Sequence, residues 1–393
     1  MTIVRVLAVV VSMLAGAVSA RAQGPLVMGD LFAVDSKVMG EQRRVIVWTP
    51  PGYDGDTRAY PVLYLTDAER QFGHTVTTVD FLSRNGRMPP MIVVGLFNTD
   101  RTRDLTPYKD KEDDAQLPTA GGADRFLQFV ETELVPWVER KYRTQKFRAF
   151  AGHSFGGLFA MHALASRPDL FNGIVAVSPT LPWRQGESVK RIETMLGQQR
   201  TLKCSLYVTL GDEGPGMKAG LDRLRTVLEE KAGKGVRWEL VEMLDEDHGS
   251  IVLRSHYNAF EKIFEGWRLP RTRTGAFKGG MKAVEAHYAR LSDRLGWVIT
   301  PPEVTVNALG YAALGEHQLA EALEYLQANV RNYPENANAY DSLGEALEAA
   351  GRVDEALAKY EEAITRGEAG KDPLLDAFRA HRDAARKKLA ERP

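Results

Sequence analysis

Gly152-His153-Ser154-Phe155-Gly156-Gly157 decides the reading of this chain. Phe147-Arg148-Ala149-Phe150-Ala151 before it reads as a short buried strand, and Leu158-Phe159-Ala160-Met161-His162-Ala163-Leu164 after it as a buried helix. A Gly-x-Ser-x-Gly between strand and helix is a nucleophile elbow. Its serine sits on a strained turn, and small neighbours let strand and helix approach closely. Such strain costs roughly 1–3 kcal/mol and persists only where the surrounding fold enforces it. Ser154 is therefore the candidate nucleophile.

Outward from the elbow, from about residue 31 to 270, strand and helix alternate. Arg44-Val45-Ile46-Val47-Trp48 and Val62-Leu63-Tyr64-Leu65 are strand-like, and Met91-Ile92-Val93-Val94-Gly95-Leu96 is the near-continuous apolar run of a strand covered on both faces. Residues 126–142 have helical spacing, with Phe126, Phe129, Val130, Leu134 and Trp137 on one face. Beyond the elbow come strands at 173–177, 204–210 and 236–244, a helix near 221–231 and a closing helix over 258–267. This pattern predicts a mostly parallel, doubly wound α/β sheet covered by helices on both faces. The connection 98–123 is long and polar, and it leaves the same sheet rim as the elbow. It should wall the site.

The hydrophobic content of 44% and net charge of -1 describe an ordinary globular chain. No basic excess points to nucleic acid. Residues 1–22 read as a signal peptide: Arg5 closes a basic start, residues 6–18 are apolar, and Ala20-Arg21-Ala22 gives a small-x-small cleavage site before Gln23. The apolar run is short for a membrane span. The mature protein is expected to be exported to a bacterial periplasm or the medium, without a membrane span. Cys204 is the single cysteine, so no intramolecular disulfide can form, and it reads as a small buried hydrophobe.

After Pro270 the character changes to Ala, Glu, Leu and Arg. Leu309-Gly310 returns as Leu343-Gly344, and Glu321-Ala322-Leu323 as Glu355-Ala356-Leu357, at the roughly 34-residue period of tetratricopeptide repeats. Tyr340, Leu343, Gly344, Ala356, Tyr360 and Ala363 resemble that repeat's signature. The first unit departs from it, with Val306 and Asn329 where an aromatic and a small residue are usual. The expected division is a signal peptide over 1–22, the α/β domain over 23–270, a helical connector over 271–300, and repeats with a capping helix (374–389) over 301–393.

A serine hydroxyl is a weak nucleophile at neutral pH and needs a base within hydrogen-bond reach, with an acid to orient that base. His248 follows the 236–244 strand and precedes the closing helix, where the chain order Ser, acid, His places the base. His256, His287, His317 and His381 lie in helical stretches and read as surface or packing residues. The acid should follow the Cys204 strand, at Asp212 or Glu213, which local sequence does not separate; Asp247 is a weaker rival. A metal site in Asp245-Glu246-Asp247-His248 lacks a second histidine at ligand spacing. Backbone N–H groups must receive the oxyanion, one from Phe155 and another from Ala68 or Glu69 after the 62–65 strand.

These residues together resemble the esterase D / enterochelin esterase-like family of α/β-hydrolases. The resemblance runs from about 31 to 267 and rests on Tyr64-Leu65-Thr66-Asp67, the elbow, Val177-Ser178-Pro179, Gly211-Asp212-Glu213 and Asp247-His248-Gly249-Ser250. It implies an α/β-hydrolase fold, ester hydrolysis without a cofactor, and Glu213 in preference to Asp212. Asp67-Ala68 stands where many relatives have Asp-Gly, which weakens the second oxyanion donor. Arg101 and Arg103 are candidate contacts for an anionic substrate or partners of Asp100 and Asp104, and Trp183 is a candidate pocket wall. The leading reading is an exported serine esterase using Ser154, His248 and Glu213. An acyltransferase with the same residues, and a silent scaffold whose repeats bind a protein partner, are its alternatives.

Overall fold

The computed structural model describes residues 27–391, apart from 56, 110–115, 199–201, 271–276 and 278; the expected signal peptide lies outside the described residues. Eight strands form one sheet: β1 Asp30–Ser36, β2 Glu41–Trp48, β3 Tyr60–Leu65, β4 Ile92–Leu96, β5 Thr144–His153, β6 Gly173–Val177, β7 Cys204–Gly211 and β8 Val236–Met243. Their order is β1-β2-β4-β3-β5-β6-β7-β8. β1 and β2 pair antiparallel at one edge, and β4 through β8 are parallel. The fold is that of an α/β-hydrolase.

Among the described residues, eight α-helices accompany the sheet: α1 Ala68–Arg84, α2 Arg101–Leu105, α3 Ala123–Phe129, α4 Val135–Lys141, α5 Phe155–Ser166, α6 Trp183–Gly197, α7 Pro215–Lys231 and α8 Ile251–Ile263. Alternate strand residues face opposite ways, so each central strand feeds two cores. Phe150, Phe159, Val189 and Leu224 share one apolar cluster with the α3–α7 side. Ala149, Val76, Val79 and Phe260 share the other, on the α1 and α8 side. The sequence alone does not show β1, α1, α2 or the start of α6. β1 is an exposed edge strand, α1 is rich in threonine, and α6 starts with Arg184, Gln185 and Gly186 all at positive φ (52°, 55° and 75°).

The helix expected over 126–142 is not continuous. A π-turn occupies Val130–Leu134 between α3 and α4. Pro136 supplies no N–H to the preceding turn, which disrupts regular α bonding there. The displaced Glu133 accepts from the backbone N–H groups of Lys37 and Val38 at 3.0 and 3.1 Å. The closing helix also begins earlier than expected, at Ile251, and so includes His256.

Among the described residues, six helices follow: α9 Gly280–Leu295, α10 Glu303–Gly315, α11 Leu319–Asn332, α12 Ala337–Ala349, α13 Val353–Gly370 and α14 Leu375–Ala390. α10–α11 and α12–α13 form the two repeat units. Their shared Leu-Gly has a packing cause. A Cβ on Gly310 would lie 2.5 Å from Leu326 Cγ, and one on Gly344 would lie 2.5 Å from Tyr360 Cε1. Each glycine therefore lets its hairpin close. Asn329 is fully buried, its Nδ2 donating to Glu303 Oε1 at 3.3 Å. Met281, Val284, Tyr288 and Ala322 lie in the same cluster as the α1 and α8 face of the sheet, so the two regions share a core.

Candidate active site

Five adjacent or near-adjacent parallel strands end at Leu65, His153, Val177, Gly211 and Met243. Asp67, Ser154, Ser178, Glu213 and His248 follow, each on a connection leaving the carboxyl rim, where open α/β sheets place their sites. Ser154 has φ 60° and ψ -116°, a strained backbone for a residue with a side chain. Glycines make the turn sterically feasible. A Cβ on Gly152 would fall under 3.0 Å from the Gly156 carbonyl, and one on Gly157 would lie 3.0 Å from the Val177 carbonyl oxygen. The Ser154 N–H donates to that same Val177 oxygen at 3.0 Å.

Asp212 and Glu213, left open by the sequence, occupy different environments. Asp212 is exposed. The Glu213 side chain is 7% exposed, and its Oε2 accepts from Nδ1 of His248. Its Oε1 accepts from the Ser178 hydroxyl and, at 3.2 Å, from the Gly211 N–H. With Nδ1 engaged, Nε2 is the ring nitrogen of His248 left to take a proton. Asp247 turns away to cap its own loop, accepting from the N–H groups of Gly249 and Ser250 at 2.8 Å each. Those two backbone donors hold its carboxyl below the usual carboxylate range. The loops after β7 and β8 are joined by the Asp212 N–H, which donates to the Glu246 carbonyl at 2.9 Å.

The elbow also touches the loop that bears His248. Nε2 of His153 donates to the His248 carbonyl at 2.6 Å, and the two rings lie 4.6 Å apart between centroids. Burial, with the neighbouring His248 second, pushes His153 down to about 4. Ser178 and His153 carried no assigned role in the sequence reading. Their contacts join separate strand ends, and no local spacing signals them.

Ala68 and Glu69 open α1, and Phe155 opens α5, so their backbone N–H groups lie in first turns that lack intrahelical acceptors. Asp67 caps α1 at φ 54° and is 3% exposed. The alanine at 68 is accommodated by Gly95, whose added Cβ would meet the Ala68 methyl at 2.9 Å.

The three candidate substrate contacts separate. Arg101 pairs with Asp67 through Nε at 2.6 Å and Nη2 at 3.1 Å, and its Nη2 reaches the His153 carbonyl at 3.3 Å. It braces the rim and lies 5.5 Å from the Phe155 ring. Arg103 is directed elsewhere: Nε bonds Asp104 at 2.7 Å and Nη1 bonds Glu41 at 3.2 Å, beside the buried Arg43–Asp104 pair. These carboxylates raise its pKa, and the guanidinium is occupied by structure. Trp183 packs edge-on to Phe155 at 5.4 Å and donates to the Pro107 carbonyl at 2.7 Å.

His256 is a packing residue, wholly buried, its Nδ1 3.0 Å from Thr75 Oγ1. Buried His162 bridges Asp124 at 2.9 Å and the Tyr108 hydroxyl at 3.2 Å, fastening α5 to the 98–123 connection. His381 contacts Asp341 at 2.9 Å. Among the described residues, no group of three or more His, Cys, Asp or Glu side chains is placed to hold a metal ion. Among them, too, no helix is long and apolar enough to cross a membrane.

A strained serine at a strand-to-helix turn, with a histidine–carboxylate pair on neighbouring strand ends, is the arrangement of an ester-cleaving α/β-hydrolase. The model of the "Putative esterase" family matches residues 36–222, and a tetratricopeptide repeat model matches 307–373. Ferri-bacillibactin esterase BesA of Bacillus subtilis is 30% identical over 230 residues, which is 52% of this chain and 77% of that protein. The siderophore enterobactin esterase of Emericella nidulans is 28% identical over 254 residues, 53% of this chain and 82% of its own. The crystal structure of an IroE-like serine hydrolase from Shewanella oneidensis superposes with TM-score 0.68 at 26% identity, covering 77% of this chain and 99% of that one. The chain belongs to this esterase family and is a carboxylic-ester hydrolase.

Proposed function

We propose that the chain is an exported serine esterase in which Ser154 attacks the ester carbonyl, His248 takes and returns the proton, and Glu213 orients His248. The observation that carries this is Glu213 itself, which joins Ser178 and His248 beside the strained Ser154 turn. The Ser154 hydroxyl adds to the carbonyl carbon as its proton passes to Nε2 of His248. The oxyanion is received by the N–H of Phe155 and that of Ala68 or Glu69. Collapse expels the alcohol, which takes the proton from His248 and leaves an acyl-serine. Water, deprotonated by His248, then releases the acid and restores the serine. The residues use no cofactor.

The substrate class we infer is a siderophore ester, because one relative is named a siderophore enterobactin esterase and another a ferri-bacillibactin esterase. Acyl transfer to an alcohol differs only in the second acceptor. In a scaffold reading the repeats would bind a protein partner and Ser154 would be silent. A fluorophosphonate probe separates these readings. Labelling that disappears in Ser154→Ala supports the esterase, and an unlabelled, folded wild type favours the scaffold. Product analysis on a catecholate trilactone, with and without added alcohol, then distinguishes water from an alcohol as acceptor.

A further inference from the structure

One contact beside Ser154 takes no part in the proton transfers just described. It is the bond from Nε2 of His153 to the main-chain carbonyl of His248. A carbonyl oxygen only accepts, so Nε2 carries the proton and Nδ1 is bare while the ring is neutral. The low pKa, about 4, keeps the ring neutral through the neutral and mildly acidic range.

The loop bearing His248 is held in three ways. Asp247 and Ser250 shape it from within, and the Asp212 N–H ties it to the acid loop. Neither bond fixes it relative to the nucleophile. The His153 bond does, because His153 immediately precedes Ser154 at the end of β5. Its own carbonyl accepts from Arg101, which is clamped on Asp67 at the start of α1. One residue therefore joins the base loop, the elbow and the Asp67 turn. His248 needs such a tether, since its side chain is 46% exposed.

We propose that His153 is a positioning residue that sets the distance between His248 and Ser154 by holding the base's own carbonyl. The proposal rests on the reading of Ser154 and His248 as nucleophile and base. Its neutrality matters as much as its reach. His248 becomes cationic as it takes the serine proton, and an uncharged ring 4.6 Å away adds no repulsion. Without the tether, the loop shifts and the contact from Nδ1 to Glu213 loosens. The rate falls, and the cationic His248 formed as the serine proton is taken loses part of its carboxylate stabilisation.

The test compares His153→Gln, which keeps an N–H of similar reach, with His153→Met, which keeps bulk without a donor. Measured are kcat, KM and the pH profile of kcat/KM on a neutral aryl ester, with fluorophosphonate labelling and circular-dichroism melting on the same samples. For His153→Met the expectation is a kcat loss of about ten- to hundred-fold with KM nearly unchanged, and an acid limb displaced to lower pH. His153→Gln restores kcat to within roughly three-fold, with the limb where wild type has it. A merely structural role would lower the melting temperature of both variants without moving the limb. A folded, labelled His153→Met with wild-type kcat and profile overturns the proposal and leaves the nucleophile assignment standing. A folded wild type that no probe labels removes both. Should His153→Met not fold, His153→Asn replaces it, its amide being too short to reach the carbonyl; equal kcat in the Gln and Asn variants overturns the proposal.

Discussion

Gly152 and Gly156 meet across the elbow so closely that a β-carbon on the first would sit under 3.0 Å from the carbonyl of the second. The obstacle is main chain and cannot rotate away. Gly152→Ala should therefore force strand β5 from helix α5, destabilising the fold by about 3 kcal/mol or more and displacing Ser154. Gly216→Ala, where nothing lies within 4 Å, is the control. Thermal melting checks both, and a Gly152→Ala protein melting like wild type would contradict the elbow packing.

Ser178 donates to one oxygen of Glu213 while His248 uses the other. Removing that charge-assisted bond in Ser178→Ala should lower kcat by roughly ten-fold with KM little changed. Glu213→Gln should lower kcat far more, by about 10³–10⁴-fold, since the amide favours the wrong imidazole tautomer. Asp212→Asn, at an exposed position, should remain within about two-fold of wild type. Steady-state kinetics on one aryl ester ranks the three. Asp212→Asn losing more activity than Glu213→Gln would reverse the assignment of the acid.

The same pair shows what the sequence made legible. The candidate positions Ser154, Asp212 or Glu213, and His248 could be proposed from strand order, because each lies on a connection that follows a strand the sequence shows. Ser178 was visible only as part of Val177-Ser178-Pro179, with nothing to indicate that its hydroxyl reaches Glu213. Arg103 and Arg101 look alike in sequence, yet Glu41 and Asp104 occupy the first while Asp67 directs the second to the elbow. Helix α1 has no clear sequence signal because its buried positions include Thr75, Thr78 and Gln71 rather than a clean apolar stripe. Such contacts belong to pairs of elements, and periodicity within one element does not report them.

Acid sensitivity should come from buried histidines. His256 is pushed down to about 3, by burial first and by His74 and His153 after it; burial also lowers His74. A folded-state pKa below the unfolded value means the unfolded chain binds the proton first. Stability is therefore unaffected above pH ~6.5, the unfolded value, and is lost as pH falls from there toward about 3. Full expression amounts to roughly 5 kcal/mol for His256. The Thr75 hydroxyl donates to the Gln71 carbonyl at 2.6 Å, so its oxygen accepts from Nδ1–H of His256. His256→Asn keeps such a donor without titrating. Its melting temperature should fall less steeply between pH 7 and 4 than wild type's, and an identical slope would place the acid sensitivity elsewhere.

The C-terminal helices should be required for the esterase fold even though their point of attachment is far from Ser154. Trp297, just after α9, packs on Phe147 at 5.1 Å, and Phe147 also meets Phe264 at 5.3 Å. Phe147 lies seven residues before Ser154 on an extended strand, about 23 Å away by strand rise. Phe147 is 1% exposed, so Phe147→Ala should cost about 3–5 kcal/mol while leaving kcat of the folded fraction near wild type. Ending the chain after Leu269 uncovers the apolar surface that Met281, Val284, Tyr288 and Ile299 cover, and this product should aggregate. Ending it after Pro373 removes only α14, exposing Phe378's partners in the second repeat, and should leave ester hydrolysis intact. Light scattering and aryl-ester turnover on both products decide the matter. A soluble, fully active chain ending at Leu269 would show that the repeats are an independent module rather than part of a shared core.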